Sequence, residues 1–277
     1  MNHLLCFGFG FSAKTLAKQL DPKLWRVTGT SRTEEGAKAI TAQGFEGVVF
    51  DELQNIPETV THILVSVPPD NRGDVVLAKF GKEIIARAKS IEWLGYLSTT
   101  GVYGDRAGAW VDEDAALTPN TDRGHKRVLA ETQWQSITLL PLHIFRLAGI
   151  YGPGRNALEM VKSGRAQRVI KPGQIFSRIH VEDIAGVLLA SIAGPDPQRI
   201  YNLADDEPCP PQDVITYAAE LLGVAPPPEV AFEDASLSAM AKSFYADSKR
   251  VSNARIKSEL GYTLKYPNYR VGLKALL

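Results

Sequence analysis

The sequence predicts an α/β fold, a doubly wound parallel sheet with helices on both faces, and three observations carry that prediction. Short apolar runs alternate with helical patterns from the first residues onward. A glycine turn, Gly8-Phe9-Gly10, joins the first run to the first helix. With 277 residues, 44% of them apolar, the chain can bury a core large enough for such a sheet.

The elements follow in order. Leu4–Phe7 reads as a strand, and Ala13, Leu16, Ala17 and Leu20 then recur at helical spacing. Arg26–Thr30 is the next strand and Glu34–Ala42 the next helix. Strands at Gly47–Phe50 and Ile63–Val67 precede a helix over Val75–Ala88 and a strand at Leu94–Ser98. Arg123–Trp134 has helical spacing, and His143–Leu147 returns to strand. This alternation is the mark of parallel strands covered on both faces. After Gly149 the texture changes: Gly152-Pro153-Gly154 and Lys171-Pro172-Gly173 break the chain into shorter pieces. A strand at Ile200–Leu203, a helix at Gln212–Leu222 and the stiff run Pro226-Pro227-Pro228 follow.

Composition narrows the function. Thirty-one basic residues balance 31 acidic ones, so no charge excess points to nucleic acid or an anionic membrane surface. The two cysteines, Cys6 and Cys209, are too few and too far apart for a disulfide framework, which fits a reducing compartment. The amino terminus lacks a basic, cleavable leader pattern, and the apolar stretch Ile184–Ala193 is too short to span a bilayer. The expectation is a cytoplasmic protein with no membrane partner. No His, Cys or carboxylate cluster has metal-ligand spacing, and Gly-x-Ser-x-Gly is absent.

The segment Gly8-Phe9-Gly10-Phe11-Ser12-Ala13 matches the pattern G-x-G-x-x-G/A. The first glycine permits the tight turn, the second lets the backbone approach a diphosphate, and the small Ala13 lets helix and strand pack closely. The helix start offers free N–H groups and a positive dipole end. A plain glycine turn is the alternative, but the position in the first βα unit favours a dinucleotide. This assigns residues 1–150 to a dinucleotide-binding Rossmann domain and 151–277 to a small C-terminal lobe of substrate type, interleaved with the last strand or strands near 199–204. Where a dinucleotide site meets the adenosine ribose, the chain has Thr30-Ser31-Arg32 and no acidic residue. Arg32 with Ser31 suits a 2′-phosphate, so NADP(H) is preferred, with NAD(H) the alternative. Asp51 is placed to accept from the adenine amino group, and Val67 and Pro68 to line the same cleft.

Several segments resemble the extended short-chain dehydrogenases that include the NAD-dependent epimerases and dehydratases. Ser98-Thr99-Thr100-Gly101-Val102-Tyr103-Gly104-Asp105 is similar to their fifth-strand segment, and Phe145-Arg146-Leu147-Ala148-Gly149-Ile150-Tyr151-Gly152-Pro153-Gly154-Arg155 to their sixth strand and loop. Arg178-Ile179-His180-Val181-Glu182-Asp183-Ile184-Ala185, Tyr201-Asn202-Leu203-Ala204, and Lys249-Arg250-Val251-Ser252-Asn253 with Glu259-Leu260-Gly261-Tyr262 are similar to later landmarks. The similarity runs in order along nearly the whole chain. Two departures stand out. The family's first two glycines are spaced more widely than Gly8 and Gly10, and its Tyr-x-x-x-Lys pair is missing, with Arg123 at the Tyr position and Arg127 at the Lys position. The departures resemble an atypical subgroup.

The resemblance implies roles for particular residues. Thr99 falls where the family uses a Ser or Thr to hydrogen-bond the reacting oxygen; a strand-end cap is the other reading. Arg127 would supply a fixed charge near the cofactor ribose, and Ile150 would lie in the loop beside the cofactor. Arg123 is a poor proton donor or acceptor, because guanidinium keeps its proton, but it can hold an anionic substrate or a developing oxyanion. A solvated basic face is the bland alternative. Arg155 and Arg178 are weaker candidates for a substrate phosphate or carboxylate, while His180 and Tyr103 read as packing residues. Two functions remain open: an NADP(H)-dependent oxidoreductase or epimerase/dehydratase-like enzyme with altered acid/base chemistry, and a catalytically silent NADP(H) sensor. A small-molecule substrate, anionic or nucleotide-linked, is expected, and the family suggests a homodimer.

Overall fold

The computed structural model describes residues 1–194 and 196–277. In chain order the elements are β1 (Asn2–Phe7), α1 (Phe11–Gln19), β2 (Trp25–Ser31), α2 (Glu34–Thr41), β3 (Glu46–Val49), β4 (His62–Val65), α3 (Val75–Ala86) and β5 (Trp93–Thr99). A 3-10 turn (Thr100–Tyr103) leads to β6 (Trp110–Val111), α4 (Asp122–Gln135), β7 (Leu142–Leu147), β8 (Gly149–Tyr151), α5 (Ala157–Lys162), β9 (Arg168–Ile170), β10 (Arg178–His180) and α6 (Val181–Ala193). The chain ends with β11 (Arg199–Leu203), α7 (Pro211–Leu221), β12 (Glu229–Ala231), α8 (Ala239–Phe244), β13 (Arg250–Val251), α9 (Ala254–Glu259) and α10 (Tyr269–Lys274).

Seven strands form one parallel sheet in the order β11-β7-β5-β4-β1-β2-β3, flanked by helices. The expected doubly wound Rossmann-type α/β fold is therefore what the chain adopts. The chain starts at β1, builds outward to β2 and β3, then returns to the other side of β1 to lay down β4. The strand order thus reverses between β1 and β4. In such sheets a crevice opens beyond the carboxyl ends of the strands at the reversal, because the flanking connections diverge to opposite faces.

The elements divide into two compact units, residues 1–99, 125–146 and 184–201 in one, and 100–124, 147–183 and 202–277 in the other. They interleave more finely than the 1–150 and 151–277 division expected from sequence. The segment 100–124 belongs with later residues because β6 pairs with β13, which brings Trp110 beside Arg250 and Val111 beside Val251. The change of texture after Gly149 marks only the second of these excursions.

In the first unit, the period-two alternation of the strands sorts their side chains between two helical layers. Leu5, Phe7, Ile63, Val65, Leu94, Tyr96, Leu142 and Ile144 pack against Val76, Phe80 and Ile84 of α3 and Ala130 and Trp134 of α4. The alternate positions of β5, β7 and β11 build a ring stack on the other face: Trp93, His143, Phe145 and Tyr201, with successive centroids 6.2, 6.3 and 5.9 Å apart. Trp93 Nε1 donates to Ser191 Oγ of α6 at 3.0 Å, so the indole's polar edge is satisfied where it is buried.

The second unit is held by short pieces: β8 with β10, β9 with β12, and an apolar cluster of Leu158, Ala218, Tyr269 and Leu273 from α5, α7 and α10. Asp183, fully buried, accepts from Tyr262 Oη and from the backbone N–H of Lys265 and Tyr266. Tyr103 is buried and donates to Asn202 Oδ1 at 2.8 Å, and His180 is buried against Tyr151 and Tyr266. Both are packing residues. Among the described residues, no helix is long and apolar enough to cross a membrane.

Candidate functional site

The glycine turn sits at the reversal of strand order. Gly8 leaves β1 with φ +86°, a conformation that an L side chain strains to adopt. A Cβ there would lie 2.8 Å from Ser66 Oγ and 3.0 Å from Val67 Cγ1, so the next strand's exit closes directly on the turn. Gly10 is the N-cap of α1 and receives Lys14 N–H at 2.9 Å. It is exposed, and a Cβ on it would meet nothing within 4 Å.

No side chain caps α1, and its first turn holds no acidic residue. The helix start therefore presents unscreened N–H groups and its positive dipole end to open space. Ser12 and Ala13 turn their side chains inward, 6% and 1% exposed, so this end offers backbone donors. The cradle fits a diphosphate: it is open where a Cβ would otherwise intrude, and it carries donors with no side-chain competitor.

The ribose and adenine candidates follow along the same sheet edge. Ser31 ends β2 and its Oγ accepts from Thr33 N–H at 3.3 Å, which leads the chain into α2. Arg32 is exposed in that connection. Asp51 is exposed two residues past the end of β3, and its carbonyl accepts from Lys79 Nζ at 2.9 Å. Val67 and the exposed Pro68 follow β4. The structure thus brings Gly8, Gly10 and Val67 together, and it carries Ser31, Arg32 and Asp51 on neighbouring strand exits.

Thr99, half-buried, ends β5. Arg127 of α4 is tied to the same strand: its Nη1 donates to Tyr96 Oη at 3.0 Å and to the Leu97 carbonyl at 2.8 Å. Tyr96 is fully buried, and burial holds its phenol well above the usual range. One helical turn beyond Arg127, Glu131 is fully buried. It accepts from Ser98 Oγ and from Arg146 of β7, the latter at 2.8 Å. Sequence reasoning missed this triad. An arginine inside the apolar run Ile144-Phe145-Arg146-Leu147 was the available signal, since a buried guanidinium requires a partner.

The second unit holds the other candidates. Arg123 is exposed and its guanidinium lies 4.7 Å from the ring centre of Phe244 in α8. Ile150 lies in β8, paired with Ile179. Arg155 is exposed, and its backbone makes a reciprocal pair with Gly152. Arg178 turns into its own unit, its Nη1 donating to the Phe176 carbonyl at 3.1 Å and lying 3.0 Å from Cys209 Sγ.

No protein-family model matches the chain. It is 29% identical to Protein YeeZ of Escherichia coli, over 97% of each chain. A solved structure, a functionally unknown conserved protein from Silicibacter pomeroyi DSS, is 57% identical over the whole chain and 98% of its own length, with a TM-score of 0.96. The dTDP-glucose 4,6-dehydratase from Bacillus anthracis in complex with NAD superposes with a TM-score of 0.79 at 17% identity, over 99% of this chain and 94% of its own. The human epimerase family protein SDR39U1 with NADPH gives 0.73 at 18%, over 100% and 99%. The chain belongs to one family with the Silicibacter pomeroyi protein, and its fold is that of the NAD-dependent epimerase/dehydratase proteins.

The ring of Phe9, between the two glycines, packs 5.3 Å from that of Phe45 and lies over Gly29 of β2. Arg123 and Arg127 both lie in the first turns of the same helix, α4.

Proposed function

We propose that this protein binds a nicotinamide dinucleotide, NADP(H) in preference to NAD(H), and acts as an oxidoreductase or epimerase/dehydratase-like enzyme with altered acid/base chemistry. The observation that carries this reading is the open, uncapped start of α1 at Gly10, placed where the strand order reverses. Two proteins with this fold carry such a cofactor, NAD in the dehydratase and NADPH in SDR39U1, which supports a nicotinamide dinucleotide here. When bound, the cofactor supplies a hydride donor or acceptor.

The chain's own residues supply the rest. Backbone N–H groups of Phe11, Ser12 and Ala13 hold the diphosphate, with Gly8 and Val67 shaping the turn. Arg32 and Ser31 take the 2′-phosphate, Asp51 and Pro68 the adenosine, and Ile150, in strand β8 rather than a loop, contacts the cofactor. Thr99 hydrogen-bonds the reacting oxygen, and Arg127, anchored to β5, contributes a fixed positive charge. Arg123, backed by Phe244, holds an anionic or nucleotide-linked substrate, with Arg155 as a second cation. The setting is the cytoplasm, and the working form is a homodimer.

Calorimetric titration of the purified protein with NADPH and NADH, followed by a panel of carbonyl and nucleotide-sugar substrates, tests the proposal. Binding below about 100 μM with turnover lost in Thr99→Ala supports it. Absence of binding by either nucleotide sinks it.

A second reading, a catalytically silent NADP(H) sensor, is favoured by one feature: the residue that the resemblance aligns with the family's proton-moving tyrosine is Arg123, and the phenol of Tyr96 is buried. Tight nucleotide binding without turnover of any panel substrate selects it.

A further inference from the structure

The turn at Gly8–Gly10 is held from both sides by residues outside the glycine motif. Gly8 N–H donates to Thr30 Oγ1 of β2 at 2.9 Å. On the other side, Ser66 Oγ, just past β4, donates to the Gly8 carbonyl at 2.8 Å. One residue's two peptide groups are thereby fixed by hydroxyls from the two strands that flank β1.

A third restraint acts through shape. Gly29 of β2 stands opposite Gly47 of β3, so the two missing side chains leave a hollow on one face of the sheet. The carbonyl of Ala37 in α2 fills the part above Gly47, where a Cβ would lie 2.0 Å from it. Phe9 fills the part above Gly29, where a Cβ would lie 2.4 Å from the ring. Thr30, one residue along, faces the opposite way and reaches Gly8. Strand β2 therefore grips the turn with both faces: a hollow for the ring and a hydroxyl for the amide.

We propose that Thr30, Ser66 and the Phe9–Gly29 interlock are positioning residues that hold the short glycine turn in its nucleotide-binding shape. The idea rests on the reading of this turn as a nicotinamide dinucleotide site. Gly8 and Gly10 lack side chains to anchor them, so an unclamped turn samples shapes in which its N–H groups diverge. Apparent affinity falls by the fraction of time spent in those shapes.

Thr30→Val keeps the shape of the side chain and removes the hydroxyl, leaving a donor unpaired. It is expected to weaken NADPH and NADH alike, raising both Kd values about tenfold. Thr30→Ser restores the hydroxyl and is expected to return both Kd values to within about threefold of the original. Phe9→Ala empties the hollow over Gly29 and provides a second, chemically unrelated route to the same loss. Amide hydrogen exchange at Gly8, Phe9 and Gly10, measured on the nucleotide-free protein, is expected to quicken in Thr30→Val and Phe9→Ala while the exchange of β1 and β4 is unchanged. That readout does not depend on any ligand. A wild-type protein that binds neither nucleotide overturns the dinucleotide reading and this proposal with it. Wild-type binding with unchanged Kd and exchange in both variants overturns the clamp alone.

Discussion

Glu131 and Arg146 meet in the interior at 2.8 Å, 0% and 2% exposed, with Ser98 on the same carboxylate. The pair joins α4 to β5 and β7 at the level of Thr99 and Arg127. Because Glu131 follows Arg127 by one helical turn, the rotation of α4 that satisfies the buried carboxylate also places Arg127 against the Leu97 carbonyl.

Breaking this pair by removing one member leaves a buried charge uncompensated. Glu131→Ala is expected to lower the unfolding free energy by about 3–5 kcal/mol. The apolar double variant Glu131→Leu/Arg146→Met should recover a large part of that loss, because neither charge then remains. Denaturant unfolding of the two proteins decides it; equal losses would show that the charges are not what matters.

Gly10 and Gly8 differ in what a side chain would meet. Gly10→Ala should fold with a stability loss of no more than about 1 kcal/mol, the usual cost of alanine at an N-cap, yet weaken dinucleotide binding at least tenfold. Gly8→Ala should lose stability as well, since its φ is +86° and Ser66 stands in the way. Thermal melts paired with NADPH titrations separate the two effects.

Cofactor choice turns on Arg32. Arg32→Ala should weaken NADPH by about 10–100-fold, the range for losing charge-assisted hydrogen bonds, and leave NADH within about twofold. Equal losses for both nucleotides would place the ribose end elsewhere.

Asp205 gives a stability signature with a definite sign. It is 1% exposed, and burial pushes its carboxyl up to about 8 from an ordinary 3.8, with Arg178 opposing only in part. Between those two values the folded chain holds a proton that the unfolded chain has released, so stability falls as pH rises through this window. Asp205→Asn removes the group and should melt higher than the wild type at pH 8, with the difference shrinking toward pH 4. A constant difference across that range would contradict the burial argument.

His143 acts in the opposite direction. Burial lowers its imidazole to about 4 from 6.5, so the unfolded chain takes up a proton first as pH falls, and stability is lost between 6.5 and 4. His143→Phe keeps a ring between Trp93 and Phe145 in the stack and should flatten this acid limb in melts taken from pH 7 to 4.

The fold was legible because parallel strands covered on both faces leave unmistakable apolar runs, and the seven strands of the parallel sheet were readable within a residue or two, whereas the short strands β6, β8, β9 and β10 were not. The glycine turn was legible for the same local reason: spacing and position in the first βα unit suffice. The clamp on that turn was not. No local pattern marks Thr30, Ser66 or Gly29 as parts of it; strand pairing sets them beside Gly8 and Phe9.

Sequence alone determined the seven strands of the sheet and the glycine turn between β1 and α1, since these depend on periodicity and on residue identity at fixed offsets. Only the tertiary structure decided which segments share a compact unit, where the strand order reverses, and that Glu131 neutralises Arg146. Those depend on contacts between residues distant in the chain, such as Trp110 with Arg250, whose pairing no local pattern encodes.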